Sequence, residues 1–139
     1  MISMNTLFQK ELEPDPNSSK IIEIALDVTL PDEYKKFVET VGVIDRPDLI
    51  IHGTWKGDQA YDIPSVIGYT RILRRSIRIP ENYISVQSVG SDEVLLDTET
   101  GYMFCWYEEL NKILPLSEYE SFEHYVKEKL KDKKEGSDA

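Results

Sequence analysis

Cysteine occurs once in this chain, at Cys105. No disulfide can therefore form within it, and a cysteine-based metal cluster is excluded. Histidine occurs twice, at His52 and His124. Neither has a second histidine or a carboxylate at a metal-ligand spacing such as HExxH. No apolar run approaches the ~20 residues that span a bilayer. The opening MISMNTLFQKELEPDPN lacks a basic start followed by an apolar stretch. No secretory signal is expected, and a reducing cytoplasm is the expected compartment. A phosphate-cradling glycine loop, a GxSxG elbow and a dinucleotide fingerprint are all missing. Bases are scarce as well, 16 against 26 acids, which leaves a formal net charge of −10. That opposes non-specific binding to nucleic acid or anionic lipid and favours a basic partner. It also serves solubility alone.

What is present is enough for one domain. The chain has 139 residues, 40% hydrophobic and 30% charged. This supports a single core without staples and excludes a wholly disordered or low-complexity chain. The Pro14-Asp15-Pro16-Asn17 stretch separates an N-terminal arm, residues 1–17, from a body at 18–132. The mixed charges that end in Gly136-Ser137-Asp138-Ala139 read as a disordered tail over 133–139.

Periodicity predicts helices first and a strand meander later, the pattern of an α+β domain. Ile22, Ala25 and Leu26 recur at helical spacing over 18–28, with Ser18 or Ser19 as cap. Pro31-Asp32-Glu33 opens a second helix, with the proline in its first turn and acids that suit the dipole. Its stripe is Tyr34, Phe37, Val38 and Val41, and Gly42 supplies a left-handed stop. Asp48–His52 reads as a strand. Pro64 and Pro80 bracket a third helix, which places Arg71, Arg74, Arg75 and Arg78 on one face. Tyr69, Leu73 and Ile77 are predicted to pack on the core from the other. Strands then follow at Tyr83–Val89, Val94–Asp97 and Tyr102–Tyr107, with Ile113-Leu114 as a short fourth. The last helix starts at Ser117 or at Ser121, and buries Phe122, Tyr125, Val126 and Leu130.

Charge is unevenly placed. Residues 81–123 hold ten acids and one base, Lys112, while Ile63–Pro80 holds four arginines and no acid. Guanidinium forks match phosphates, but in so acidic a chain the favoured reading pairs the arginines with acids of the same molecule. Asp92, Glu93 and Asp97 would be catalytic only as carboxyls facing across a cleft; acids in hairpin turns are normally solvated. Cys105 alternates with aromatics, which marks a buried strand position rather than a nucleophile. His124 reads as a solvated helix position and Trp106 as core. Trp55, between Gly53 and Gly57, is either an interface anchor or core.

Four segments, in order, resemble the SUKH superfamily of Smi/Knr-type domains. They are Ile22–Gly42, Ser65–Val86, Val94–Trp106 and the Ser121-Phe122 helix start, spanning roughly 18–130. Two positions differ from the family's common pattern: Val41-Gly42-Val43 replaces Asn-Gly-Gly, and Tyr107 follows the hairpin tryptophan in place of aspartate. The resemblance implies an α+β fold without catalytic machinery. It also implies a cytoplasmic immunity protein that binds and neutralises a polymorphic toxin, often a nuclease. Eukaryotic relatives are regulatory or scaffold proteins linked to cell-wall synthesis. The resulting expectation is a basic toxin domain as partner, without nucleic acid, membrane, metal or cofactor. The expected contacts are Asp92, Glu93, Asp97, Glu99, Glu108 and Glu109, with Trp55 as anchor. For Asp97, turn capping is the alternative role. The rival reading is a regulatory or scaffold domain acting on an endogenous protein, and a carboxylate hydrolase is a distant third.

Overall fold

The computed structural model describes residues 12–138, with side chains through 132. Most of the expected arm, and the side chains of the expected tail, lie outside the described residues. Helix α1 spans Ser18–Leu26 and α2 spans Asp32–Thr40. The first ends earlier than its periodicity suggests, because Asp27 takes a left-handed φ of 56° and its N–H bonds the Glu23 carbonyl. Neither serine caps it. Ser18 Oγ donates to the Asp15 carbonyl at 2.5 Å, and Ser19 Oγ donates to Glu39 Oε2 at 2.7 Å, tying α1 to α2. Pro31 sits at the N-cap of α2, one position before the first turn. Tyr34, Phe37 and Val38 are buried as expected, but Val41 is exposed, because the helix stops at Thr40 and the chain swings away. Gly42 makes that turn at φ +85°, with its N–H on the Phe37 carbonyl.

Strands β1 (Ile44–Arg46) and β2 (Leu49–Ile51) form a hairpin with Ile44 opposite Ile51. The first has no apolar alternation and was not visible in sequence. The hairpin joins the main sheet when His52 N–H donates to the Val86 carbonyl at 2.8 Å. Helix α3 (Val66–Ser76) is capped by Ser65, whose Oγ accepts from Gly68 N–H. The main sheet is antiparallel in the order β3 (Tyr83–Val89), β4 (Asp92–Asp97), β5 (Met103–Tyr107), β6 (Lys112–Pro115). A bulge separates Ser85 from Gln87. Helix α4 is bounded at Phe122–Asp138. Of its two candidate caps, Ser121 serves, its Oγ accepting from His124 N–H at 3.2 Å.

The period-two strands feed two apolar layers. Ile84, Val86, Val94, Leu96 and Met103 meet α1, α2 and α4 through Ile22, Tyr34, Phe122 and Tyr125. Tyr34 and Phe122 meet edge-on at 4.9 Å. On the opposite face Leu95 packs with Leu73 and Ile79, flanked by Tyr69, Ile77, Phe104 and Trp106. The apolar side of α3 therefore covers the sheet as expected. Arg71, Arg75 and Arg78 are exposed, and Arg74 is half-buried. Trp106 is only half-buried, its indole N–H reaching Asn111 Oδ1 at 3.1 Å.

Gly53 permits the closest backbone approach. A Cβ there would lie 1.7 Å from the Gly42 carbonyl oxygen. Gly53→Ala should cost about 2 kcal/mol or more, since only a backbone shift relieves the overlap. Leu95→Ala should cost about 2–5 kcal/mol as a buried leucine truncation. Urea unfolding midpoints measure both; a loss below about 1 kcal/mol, no more than an average point mutation causes, would contradict the packing described.

Candidate protein-binding surface

An antiparallel meander puts alternate turns at the same end. The β3–β4 and β5–β6 turns therefore lie side by side, and a bond joins them: Glu108 N–H donates to Asp92 Oδ1 at 3.0 Å. Asn111 closes the second turn at φ 49°, its N–H on the Tyr107 carbonyl. Asp92 is half-buried and Glu108 and Glu109 are exposed. Between them stand two exposed apolar side chains that sequence reasoning missed, Val89 and Leu110, 52% and 56% exposed. Turn-tip apolar residues carry no periodic signal, which is why they escaped notice.

Glu93 does not belong to this surface. Strand β4 starts at Asp92, so Glu93 lies within the strand, at 6% exposure. Its carboxylate accepts from Tyr69 Oη at 2.7 Å and Ser88 Oγ at 2.6 Å. Burial pushes its pKa above the ordinary carboxylate value, against the pull of those two donors. Burial likewise pushes Tyr69 up to about 12. The role of Glu93 is to fasten α3 to the sheet.

Asp97 and Glu99 lie at the other end. Asp97 is buried and organises the β4–β5 turn. It accepts from Asn82 Nδ2 at 3.0 Å, Thr100 Oγ1 at 2.8 Å and Glu99 N–H at 3.0 Å. Burial opposes ionisation there, but these donors outweigh it and hold the pKa below the usual range. Glu99 is exposed and lines a cleft of about 530 Å³ with Asp27, Val28, Thr29, Glu81, Asn82 and Thr98. Asp27 was missed because it comes from a helix end far away in the chain. Trp55 belongs to neither end. It is half-buried in the β2–α3 connection, whose backbone is tied to Glu13 and Gly42.

Among the described residues the four arginines form no ion pair with the chain's own acids, the pairing sequence reasoning favoured, although Arg74 lies near enough to Glu81 and Asp27 to feel their charge. Arg71 Nη2 donates to the Ala25 carbonyl at 3.4 Å and Arg74 Nη2 to the Glu81 carbonyl at 2.8 Å. Arg71 thus serves the C-terminal end of α1, where unpaired carbonyls favour a cation.

The remaining reactive groups are held quiet. Cys105 is buried, and burial pushes its thiol up to about 11. His124 is half-buried, its Nδ1 accepting from Glu120 N–H at 3.0 Å. His52 is wholly buried, with Nδ1 3.2 Å from the Ser85 carbonyl and its ring edge-on to Tyr69 at 5.3 Å. Its Nε2 has no partner among the described residues. Those residues contain no group of three or more His, Cys, Asp or Glu side chains placed to hold a metal ion. No described helix is long and apolar enough to cross a membrane.

The chain matches a family model described as SMI1-KNR4 cell-wall, SUKH_5, over residues 4–131. The chain belongs to the SUKH family. No curated protein matches it. In this SUKH domain, then, the acids expected at one surface separate into an exposed pair of turns, an opposite cleft and two buried structural carboxylates.

Burial lowers the pKa of His52 from 6.5 to about 4. The unfolded chain therefore takes up a proton here before the folded one does. Stability from this group is complete above pH 6.5 and is lost as pH falls toward 4. The loss is about 3 kcal/mol. The Glu93 carboxyl, raised by its burial, works in the opposite sense and gains stability on protonation. Denaturant midpoints of wild type and His52→Gln at neutral pH and near pH 4.5 should show a steeper acid loss in wild type. Equal losses would mean that His52 titrates as in the unfolded chain.

Proposed function

We propose that this SUKH domain is an immunity protein, a non-enzymatic binder that blocks a cognate toxin domain. Its contact surface in this reading is the end where the β3–β4 and β5–β6 turns meet. The observation that carries the reading is the Glu108–Asp92 bond. It ties together the two turns that carry three acids and two exposed apolar residues. Such a tip suits a basic cleft of the kind that holds nucleic-acid phosphates, since exposed acids steer encounter while apolar anchors hold the complex. Family membership supports a protein partner. Asp92, Glu108 and Glu109 are kept from the original contact set. Glu93 and Asp97 support the scaffold, and Glu99 faces away.

The description of the family as cell-wall favours a second reading, a regulatory domain that binds an endogenous protein. Co-expression separates the two. A toxin domain encoded beside this gene should be lethal alone and harmless with the wild-type chain. Glu108→Lys with Glu109→Lys should lower the association rate about tenfold or more at physiological salt and weaken protection. Leu110→Ala should act on dissociation. Asp45→Lys, on the β1 hairpin, should change neither. Undiminished protection by the double reversal would end the acidic-tip mechanism; absence of protection by wild type would end the immunity reading itself.

A further inference from the structure

We propose that the outer face of α1 and α3 docks a second copy of this chain, with the paired-turn end of that copy as its counterpart. The inference shares the paired-turn end with the toxin reading but requires no toxin. On α1, Ile24 is 84% and Ile21 43% exposed. Arg71 reaches the Ala25 carbonyl, which sets its guanidinium beside that pair. Arg75 follows one turn later, and Arg78 stands exposed after the helix. Arg74 is left out, since it is half-buried, spent on the Glu81 carbonyl and close enough to Asp27 and Glu81 to feel both.

The face therefore offers two isoleucines beside Arg71, with Arg75 one turn further along α3 and exposed Lys20 on α1, against one exposed acid, Asp27. The paired-turn end offers Val89 and Leu110 with Asp92, Glu108 and Glu109, against one exposed base, Lys112. Apolar pair matches apolar pair, and a face of net positive charge matches an end of net negative charge. The two surfaces lie toward opposite ends of β3, because α3 leads through Ile79-Pro80 into the start of that strand and the turns lie beyond its end. Seven residues of strand separate those ends, about 23 Å. One molecule cannot close the contact on itself, so it forms between copies, reciprocally in a two-fold dimer or head-to-tail in a ring or open chain. Each copy carries −10, which repels at long range. At physiological salt only charges within about 8 Å act, so the touching pairs decide. At low salt repulsion dominates, and near 1 M salt, where the screening length is about 3 Å, the pairs fade too. Association should peak at intermediate salt.

Sedimentation velocity of the full chain over a wide concentration range tests this. Wild type should show concentration-dependent association strongest at intermediate salt. Arg71→Glu with Arg75→Glu should abolish it, and so should Glu108→Lys with Glu109→Lys. Mixing the two variants should restore it, since each reversed surface then meets an opposite charge. Ile24→Ser, at a site too exposed to disturb folding, should weaken it at unchanged charge. A wild type that stays monomeric at every concentration, or a mixture no more associated than its separate components, overturns the proposal.

Discussion

Strand β4 has no face left for water: from Glu93 to Asp97 every residue is buried. Much else follows from that constraint. Val94 and Leu96 need cover on one side, supplied by the layer that includes Ile22, Tyr34 and Phe122. Leu95 needs cover on the other, supplied by Leu73 and Ile79. Helices contribute the cover on both sides. The two ends of the strand are acidic, and a buried carboxylate is tolerable only when hydrogen-bonded. Tyr69 and Ser88 meet Glu93. Asn82, Thr100 and a backbone amide meet Asp97. The side chains that satisfy the acids also join α3, the β3–β4 pair and the following turn into one unit.

The elements were legible where periodicity was strong. The strand β3 and the buried stripe of α2 emerge from spacing alone, because a half-buried element must repeat its apolar residues at its own period. Strand β1 was not legible. Ile44-Asp45-Arg46 has a single apolar residue, and its strand state comes from pairing with Leu49 and Ile51. Helix ends were also poorly marked. Ser18 and Ser19 look like caps, yet Ser18 is spent on the Asp15 carbonyl three residues back and Ser19 on Glu39 of α2. The second partner cannot be deduced from local spacing.

The surface was less legible than the fold, and the reason is geometric. Sequence reasoning located Asp92 and Glu93 at one turn, so they looked alike. They are consecutive in β4, and period two sends adjacent side chains to opposite faces. Asp92 therefore binds Glu108 N–H on the paired turns, while Glu93 reaches Tyr69 on α3. The tip itself was assembled from Asp92 and Glu108, which neighbouring turns bring together across a sheet.

Charge density along the chain is thus a poor guide to charge density in space. Of the ten acids of 81–123, Asp92, Glu108 and Glu109 lie at one end of the sheet, Asp97 and Glu99 at the other, Glu118 and Glu120 in the β6–α4 connection and Glu123 on α4, so their fields are dispersed. Two of them, Glu93 and Asp97, are withdrawn into the interior. Glu81 and Glu99 share a cleft with Asp27, a residue outside the acidic stretch. Asp92, Glu108 and Glu109 share their turns with exposed Val89 and Leu110, and Glu99 shares its turn with exposed Tyr102. Surface charges farther apart than about 8 Å scarcely act together at physiological salt. A partner would feel this domain as separate small acidic sites, and the paired-turn end adds two exposed aliphatic side chains to its acids.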